Sequence, residues 1–175
     1  MIDRNERIVL GGGCFWCIEA VYKRIEGVIS TRPGYAGGTT ANPDYERVCT
    51  GGTGHAEVVE IIFDPDVISL EALLEVFWRA HDPTTRDRQG GDVGTQYRSV
   101  ILYADERQKA VAESSLAGLT ASGTCVNNPV TQILPLQTFW PAEAYHKDYF
   151  ENNRAQGYCR VVIEPKLHKL ALLED

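Results

Sequence analysis

Cys14 and Cys17 bracket two aromatic residues in the segment Gly11-Gly12-Gly13-Cys14-Phe15-Trp16-Cys17. An apolar run, Ile8-Val9-Leu10, precedes the glycines, and from Cys14 onward Cys17, Ile18, Val21 and Ile25 recur at helical spacing. Cys14 therefore stands where a strand delivers the chain to a helix N-terminus. Unpaired N–H groups and the helix dipole favour a thiolate there, which predicts a lowered pKa and a nucleophilic sulfur. The glycines allow close backbone approach, and Phe15 and Trp16 offer aromatic surface beside the sulfur. A buried, inert cysteine is the plainer alternative; the glycine tract and the aromatics favour chemistry.

Glu57 is the second candidate. In the strand pattern Glu57–Phe63 it shares a face with Val59, Ile61 and Phe63, while Glu60 and Asp64 mark the other. A carboxyl at the end of an apolar row is partly desolvated, which raises its pKa and suits it to act as an acid; an end-of-strand glutamate reaching water is the alternative. The Cys14/Cys17 pair also fits half of a zinc site, but no second such pair occurs and His55, His81, His146 and His168 lack ligand spacing. No metal is expected. A general dithiol–disulfide oxidoreductase using Cys14 and Cys17 is the rival reading, although two bulky intervening aromatics suit it poorly.

The elements that must position these groups alternate. After the first helix, stopped near Gly27, a strand is predicted over Val28–Arg32, then a turn-rich loop from Pro33 to Gly54 with one helical turn near Tyr45–Val48. Ser69 caps a helix to about Arg79; His81 to Gly94 is loop; Ser99–Tyr103 is a strand. A helix follows from Asp105 with Gln108 placed for a capping box, then a weaker strand at Thr131–Leu134 and a last helix from Pro141 to about Phe150. The pattern predicts one α+β domain over residues 1–175, a two-layer arrangement with a mixed sheet and long loops, ending in a mostly irregular C-terminal tail over 151–175.

Composition narrows the function classes. The 175 residues carry a net charge of −7, with 43% apolar and 23% charged residues, ordinary for a globular chain able to bury a core. No basic cluster supports nucleic-acid binding, and no apolar run is long enough for a membrane span or, at the charged start, for a signal peptide. Five cysteines, an odd number, argue against a closed disulfide scaffold and favour a reducing cytoplasm.

Several segments in register resemble the methionine sulfoxide reductase A family. They are Gly13-Cys14-Phe15-Trp16, Gly34-Tyr35-Ala36-Gly37-Gly38, Asn42-Pro43-Asp44-Tyr45 and Gly54-His55-Ala56-Glu57, then Asp82-Pro83-Thr84-Thr85, Gln96-Tyr97-Arg98-Ser99 and Phe139-Trp140-Pro141-Ala142-Glu143. The likeness spans residues 8–163. It implies reduction of the S epimer of methionine sulfoxide, free or in proteins, without metal or organic cofactor, on a fold related to the ferredoxin-like class. By the resemblance, Cys14 is the nucleophile and Glu57 the acid. Tyr45 and Tyr97 hold the sulfoxide oxygen, Phe15 and Trp16 receive the substrate methyl, and Asp92 helps position the site. Compactness and the resemblance together point to a monomer.

The resemblance further implies a sulfenic acid on Cys14, condensation with a second thiol to an intramolecular disulfide, and reduction by thioredoxin. Cys159 matches the C-terminal resolving cysteine; otherwise it reads as a thiol at the start of a short strand, Arg160–Ile163. Cys17 replaces the family's commoner glycine and is the alternative resolver. A Cys14–Cys17 bridge within an intact helix would be strained, which favours Cys159. Cys49 and Cys125 have no assigned role.

Overall fold

The glycine tract is the hinge between β1 (Glu6–Gly11) and α1 (Phe15–Tyr22), and Cys14 sits outside the helix as its N-cap, with extended backbone at φ −62°, ψ 131°. This computed structural model describes residues 4–173; residues 1–3 and 174–175, the ends of the expected domain and tail, lie outside the described residues. β2 (Val28–Ala36), the short α2 (Tyr45–Cys49), β3 (Ala56–Phe63) and α3 (Leu70–Ala80) follow. A small hairpin of β4 (Arg88–Gln89) and β5 (Asp92–Val93) leads to β6 (Val100–Tyr103) and α4 (Glu106–Ser122). Then come β7 (Gln132–Pro135), β8 (Trp140–Pro141), α5 (Tyr149–Asn152), a π-helical turn (Cys159–Ile163) and α6 (Glu164–Lys169).

The main sheet has six strands in the order β7-β6-β1-β3-β2-β8. All pairs are antiparallel except β6 with β7, so the sheet is mixed and the class α+β. Register sets Leu10 opposite Val59 and Ile8 opposite Ile61. With Tyr35, Phe63 and Ile101 these residues meet Ile18 and Val21 of α1 and Leu73, Leu74 and Phe77 of α3. The alternate residues Val9, Val58, Val100 and Leu102 form a smaller cluster on the opposite face, beneath Leu136 and Phe139. Each such side chain, fully buried, contributes about 1.5–3 kcal/mol. Glu60 falls on the second face, where Arg7 and Arg32 pair with it at 2.7 and 3.1 Å. The same alternation turns Glu57 toward the helices and the N-terminus of α1.

Local signals placed most elements. Ser69 Oγ accepts the Ala72 N–H at 3.1 Å and Asp105 accepts the Gln108 N–H at 2.8 Å, each starting its helix as predicted. The Gln108 side chain does not complete a capping box. It accepts from the Ala104 N–H and donates to the Arg7 carbonyl, tying α4 to β1.

Three expectations fail for tertiary reasons. β2 continues through Pro33 to Ala36, because pairing with β3 extends to Ala36 opposite Ala56. Pro141 does not open a helix; Trp140–Pro141 adds to the sheet edge beside Gly34–Tyr35, a position that tolerates a missing N–H. The segment after 151 is not mostly irregular, and Arg160–Ile163 is not a strand. The π-helical turn and α6 fold back on the body, burying Cys159, Ile163, Leu167 and Leu170 in the main core, with Leu172 and Leu173 packed partly against it.

Burial of the C-terminal segment has a measurable consequence. Leu167→Ala should destabilise the protein by about 2–5 kcal/mol and lower its urea midpoint; a change below about 0.5 kcal/mol would show that this segment does not belong to the core.

Candidate active site

Delivery of Cys14 requires the glycines before it. Gly13 has φ +91°, left-handed backbone that a side chain would strain, and its N–H donates to the Tyr97 carbonyl at 3.2 Å. A Cβ on Gly12 would lie 2.8 Å from the His81 ring. The chain thus turns tightly between β1 and the segment carrying Tyr97, leaving the first N–H of α1 pointing at β3.

That N–H belongs to Phe15 and donates to Glu57 Oε1 at 3.2 Å. Glu57 is only 1% exposed, and its other oxygen, Oε2, is buried without a hydrogen-bond partner among the described residues. Burial pushes its pKa up to about 8, with the Phe15 N–H and the Cys14 thiol acting in the opposite direction. At neutral pH Glu57 therefore holds a proton, as the apolar-row reasoning predicts. Cys14 departs from expectation. Its thiol is held well above the ordinary range, first by burial and then by the charges of Glu57 and Cys17, while the Trp16 N–H favours the thiolate. Desolvation outweighs the helix N-terminus. Glu57 and Cys14 titrate as a linked pair: a carboxyl that keeps its proton removes the nearest charge opposing the thiolate.

Aromatic groups wall this pair. Phe15 is fully buried, and half-buried Trp16 stacks on Tyr149 at 3.7 Å between ring centroids. Trp16 Nε1–H donates to His146 Nδ1 at 2.9 Å, which fixes the indole and requires His146 to carry its proton on Nε2. His146 has no exposed surface, and burial pulls its pKa down to about 4. Its ring also meets Phe15 at 4.8 Å and Tyr45 at 4.5 Å, so one neutral imidazole braces three residues of the site.

Tyr45 and Tyr97 converge on the same pair. Burial and then the Glu57 charge raise both hydroxyls, and Cys14 contributes to each, so both remain protonated donors. Glu143 holds this side together, accepting from the Tyr35 hydroxyl at 2.8 Å and from the Tyr45 N–H at 2.9 Å. Asp92 Oδ2 accepts from the Tyr158 hydroxyl at 2.6 Å, and that hydroxyl lies 3.7 Å from Cys17 Sγ.

The structure thus brings Cys14, Phe15, Trp16, Tyr45, Glu57, Asp92 and Tyr97 together. Cys159 is buried on the inner side of α1, where burial and the charge of Cys17 raise its thiol. Glu143, His146, Tyr149 and Tyr158 were not predicted. Only Glu143 lay inside a quoted motif, and the other three follow it or adjoin Cys159. Among the described residues no group of three His, Cys, Asp or Glu could hold a metal ion. The assembly sets a thiol beside a carboxyl whose burial favours its protonated form, with two tyrosine hydroxyls and an apolar wall around them.

Comparisons with known proteins agree with this chemistry. A family model described as "Peptide methionine sulfoxide reductase" matches residues 6–174. The chain is 52% identical to the peptide methionine sulfoxide reductase MsrA of Sulfolobus acidocaldarius over 164 residues, 94% of this chain and 92% of that protein. It is 54% identical to the MsrA of Leptospira borgpetersenii over 165 residues, again 94% and 92%. Among solved structures, reduced Mxr1 from Saccharomyces cerevisiae aligns with a TM-score of 0.83 at 34% identity, over 89% of this chain and 90% of that one. Mxr1 in complex with Trx2 aligns at 24% identity with a TM-score of 0.60, over 85% and 88%, a likeness of fold alone.

The raised carboxyl makes stability depend on pH. Below about 4.5 folded and unfolded chains both hold the Glu57 proton, and between 4.5 and 8 only the folded one does, so rising pH favours unfolding across that window. Urea titrations should show wild type losing up to about 1.4 kcal/mol per pH unit there relative to Glu57→Gln. Parallel curves for the two proteins would mean that Glu57 ionises normally in the folded state.

Proposed function

The chain belongs to the peptide methionine sulfoxide reductase family and reduces methionine sulfoxide by thiol chemistry; we propose that Cys14 is the nucleophile and Glu57 the proton donor. The observation that carries this reading is the buried Glu57 carboxyl fixed to the Phe15 N–H beside Cys14, where burial favours its protonated form. A sulfoxide sulfur is a poor electrophile until its oxygen receives a proton or strong hydrogen bonds. Glu57 Oε2 is the uncommitted oxygen available for that transfer, and the Tyr45 and Tyr97 hydroxyls are the added donors. The substrate methyl rests against Phe15 and Trp16, where sulfur–aromatic contacts are worth about 0.3–1.5 kcal/mol. Cys14 attacks the sulfur, the oxygen passes to it, and methionine leaves with a sulfenic acid on Cys14.

The substrates under this reading are free and protein-bound methionine S-sulfoxide. An intramolecular disulfide then forms and is returned to thiols by thioredoxin, a partner suggested by the Mxr1–Trx2 complex. Free thiols cycling through one transient disulfide suit a reducing cytoplasm and a monomer, and the residues described include no helix able to cross a membrane. We also infer that β1-α1-β2-β3-α3-β6 forms a ferredoxin-like two-layer core, supported by the strand adjacency β6-β1-β3-β2 and by a main core shared between these helices and one sheet face. General dithiol–disulfide exchange fits less well. In the reduced chain Cys14 is 6% and Cys17 2% exposed, beside an aromatic wall that suits a thioether methyl better than a docked disulfide.

Cys14→Ser should abolish reduction of methionine S-sulfoxide. Glu57→Gln should slow methionine formation in a single turnover by about 10²–10⁴-fold while substrate still binds, and wild-type rates should fall as pH rises through about 8. Turnover by Cys14→Ser, or a rate indifferent to Glu57→Gln, would refute these assignments.

A further inference from the structure

His146 is enclosed by aromatic rings and carries one nitrogen that the fold leaves without a partner. It ends the short helical turn Ala144–His146 and has no exposed surface. Between centroids its ring lies 4.8 Å from Phe15, 4.5 Å from Tyr45 and 4.0 Å from Tyr145. An indole N–H can only donate, so the 2.9 Å bond from Trp16 Nε1 makes His146 Nδ1 the acceptor and leaves the ring proton on Nε2. That Nε2 is buried with no hydrogen-bond partner among the described residues. A phenylalanine would fill similar space without burying an unpaired N–H, so packing alone does not account for an imidazole here. The nitrogen that faces Trp16 does.

The Trp16 indole is held in two independent ways. Tyr149 stacks on it with centroids 3.7 Å apart and planes within 6°, which prevents tilting and covers one face. Stacked rings still slide and turn within their common plane, because apolar contact is non-directional. The hydrogen bond to His146 supplies the missing restraint, since its strength depends steeply on angle. The acceptor is itself tied to the helix that carries Trp16. Glu19, one turn further along the same face of α1, accepts the Asp148 N–H on Oε1 at 2.7 Å and the Thr31 hydroxyl on Oε2 at 2.9 Å. Glu143 anchors the other end through the Tyr35 hydroxyl and the Tyr45 N–H. Residues 143–148 thus form a strap pinned at both ends, with His146 between the pins.

We propose that His146 is a positioning residue that limits the size of the alkyl group accepted on the sulfoxide sulfur, by fixing the in-plane orientation of the Trp16 indole. The proposal rests on the reading above, in which the substrate methyl lies against Phe15 and Trp16. The imidazole acts through these rings and not on the substrate. Its centroid stands 4.8 Å from Phe15 and 5.7 Å from Trp16, so one buried group sets each half of the wall relative to the other. A wall that does not yield excludes an added methylene, and one methylene in a close-fitting apolar pocket changes kcat/KM by about 10–200-fold. An indole free to turn in its plane yields, and the larger alkyl group enters.

The test compares kcat/KM, with dithiothreitol as reductant, for the S epimers of methionine sulfoxide and of its analogue carrying ethyl in place of methyl. Wild type should favour the methyl compound by about tenfold or more. His146→Phe keeps a ring but removes the acceptor, and should bring the two substrates within about threefold of each other. His146→Asn keeps an acceptor near the Nδ1 position and should restore most of the preference. In a Trp16→Phe background, which lacks the indole N–H, His146→Phe should leave the ratio unchanged. A preference retained by His146→Phe, or shifted equally with and without the Trp16 indole, would overturn the positioning role. A wild-type ratio in Trp16→Phe alone would refute instead the placing of the substrate methyl against Trp16, and the proposal with it. Nitrogen NMR of wild type decides the bond without any variant. His146 Nδ1 should give the resonance of an unprotonated acceptor coupled to the Trp16 indole proton, and a proton found on Nδ1 would overturn the proposal.

Discussion

The bond from the Phe15 N–H to Glu57 Oε1 joins the start of α1 to the middle of the sheet, and the site is organised around it. It places an N-cap cysteine against a carboxyl whose burial keeps it protonated. The same burial raises the Cys14 thiol, so neither group ionises alone at neutral pH. Reactivity then belongs to the pair. Under the proposed roles, a substrate taking the Glu57 proton is attacked by the Cys14 sulfur in the same event, which favours molecules offering a basic oxygen bonded to an electrophilic sulfur.

The rest of the fold keeps that contact in register. Alternation along β3 turns Glu57 toward the helices while Glu60 is neutralised by two arginines on the opposite face. Gly12 and Gly13 let the chain turn beneath His81 and Tyr97. Glu143 and His146, delivered together after β8, both brace the pocket: the carboxylate ties Tyr35 to Tyr45, and the neutral imidazole fixes the Trp16 indole. The C-terminal turn packs against α1 and buries Cys159 in the same core cluster as Cys17.

Much of this was legible in the sequence because it depends on short-range pattern. Period-two spacing from Glu57 to Phe63 identified the inward face of that carboxyl, and the glycines before Cys14 marked a strand-to-helix turn. The thiol's pKa was misread because a helix N-terminus is a local feature, while desolvation depends on what the distant chain packs against it. The Trp16–His146, Tyr45–Glu143 and Asp92–Tyr158 bonds join residues 130, 98 and 66 positions apart, and no spacing rule reports such partners. The tail was expected to be mostly irregular, because the core surface that makes its short helices stable is assembled from distant parts of the chain. Isolated helices of that length do not persist in water.

Whether the Glu57 carboxyl holds its proton at neutral pH is open to direct observation. Infrared difference spectra of wild type against Glu57→Gln, taken across a pH series, isolate this one carboxyl. A protonated carboxylic-acid band should persist at pH 7 and give way to carboxylate with a midpoint of about 8. A band already converted to carboxylate by about pH 5, near the ordinary glutamate range, would contradict the role of Glu57 as proton donor and with it the coupled pair at the centre of the site.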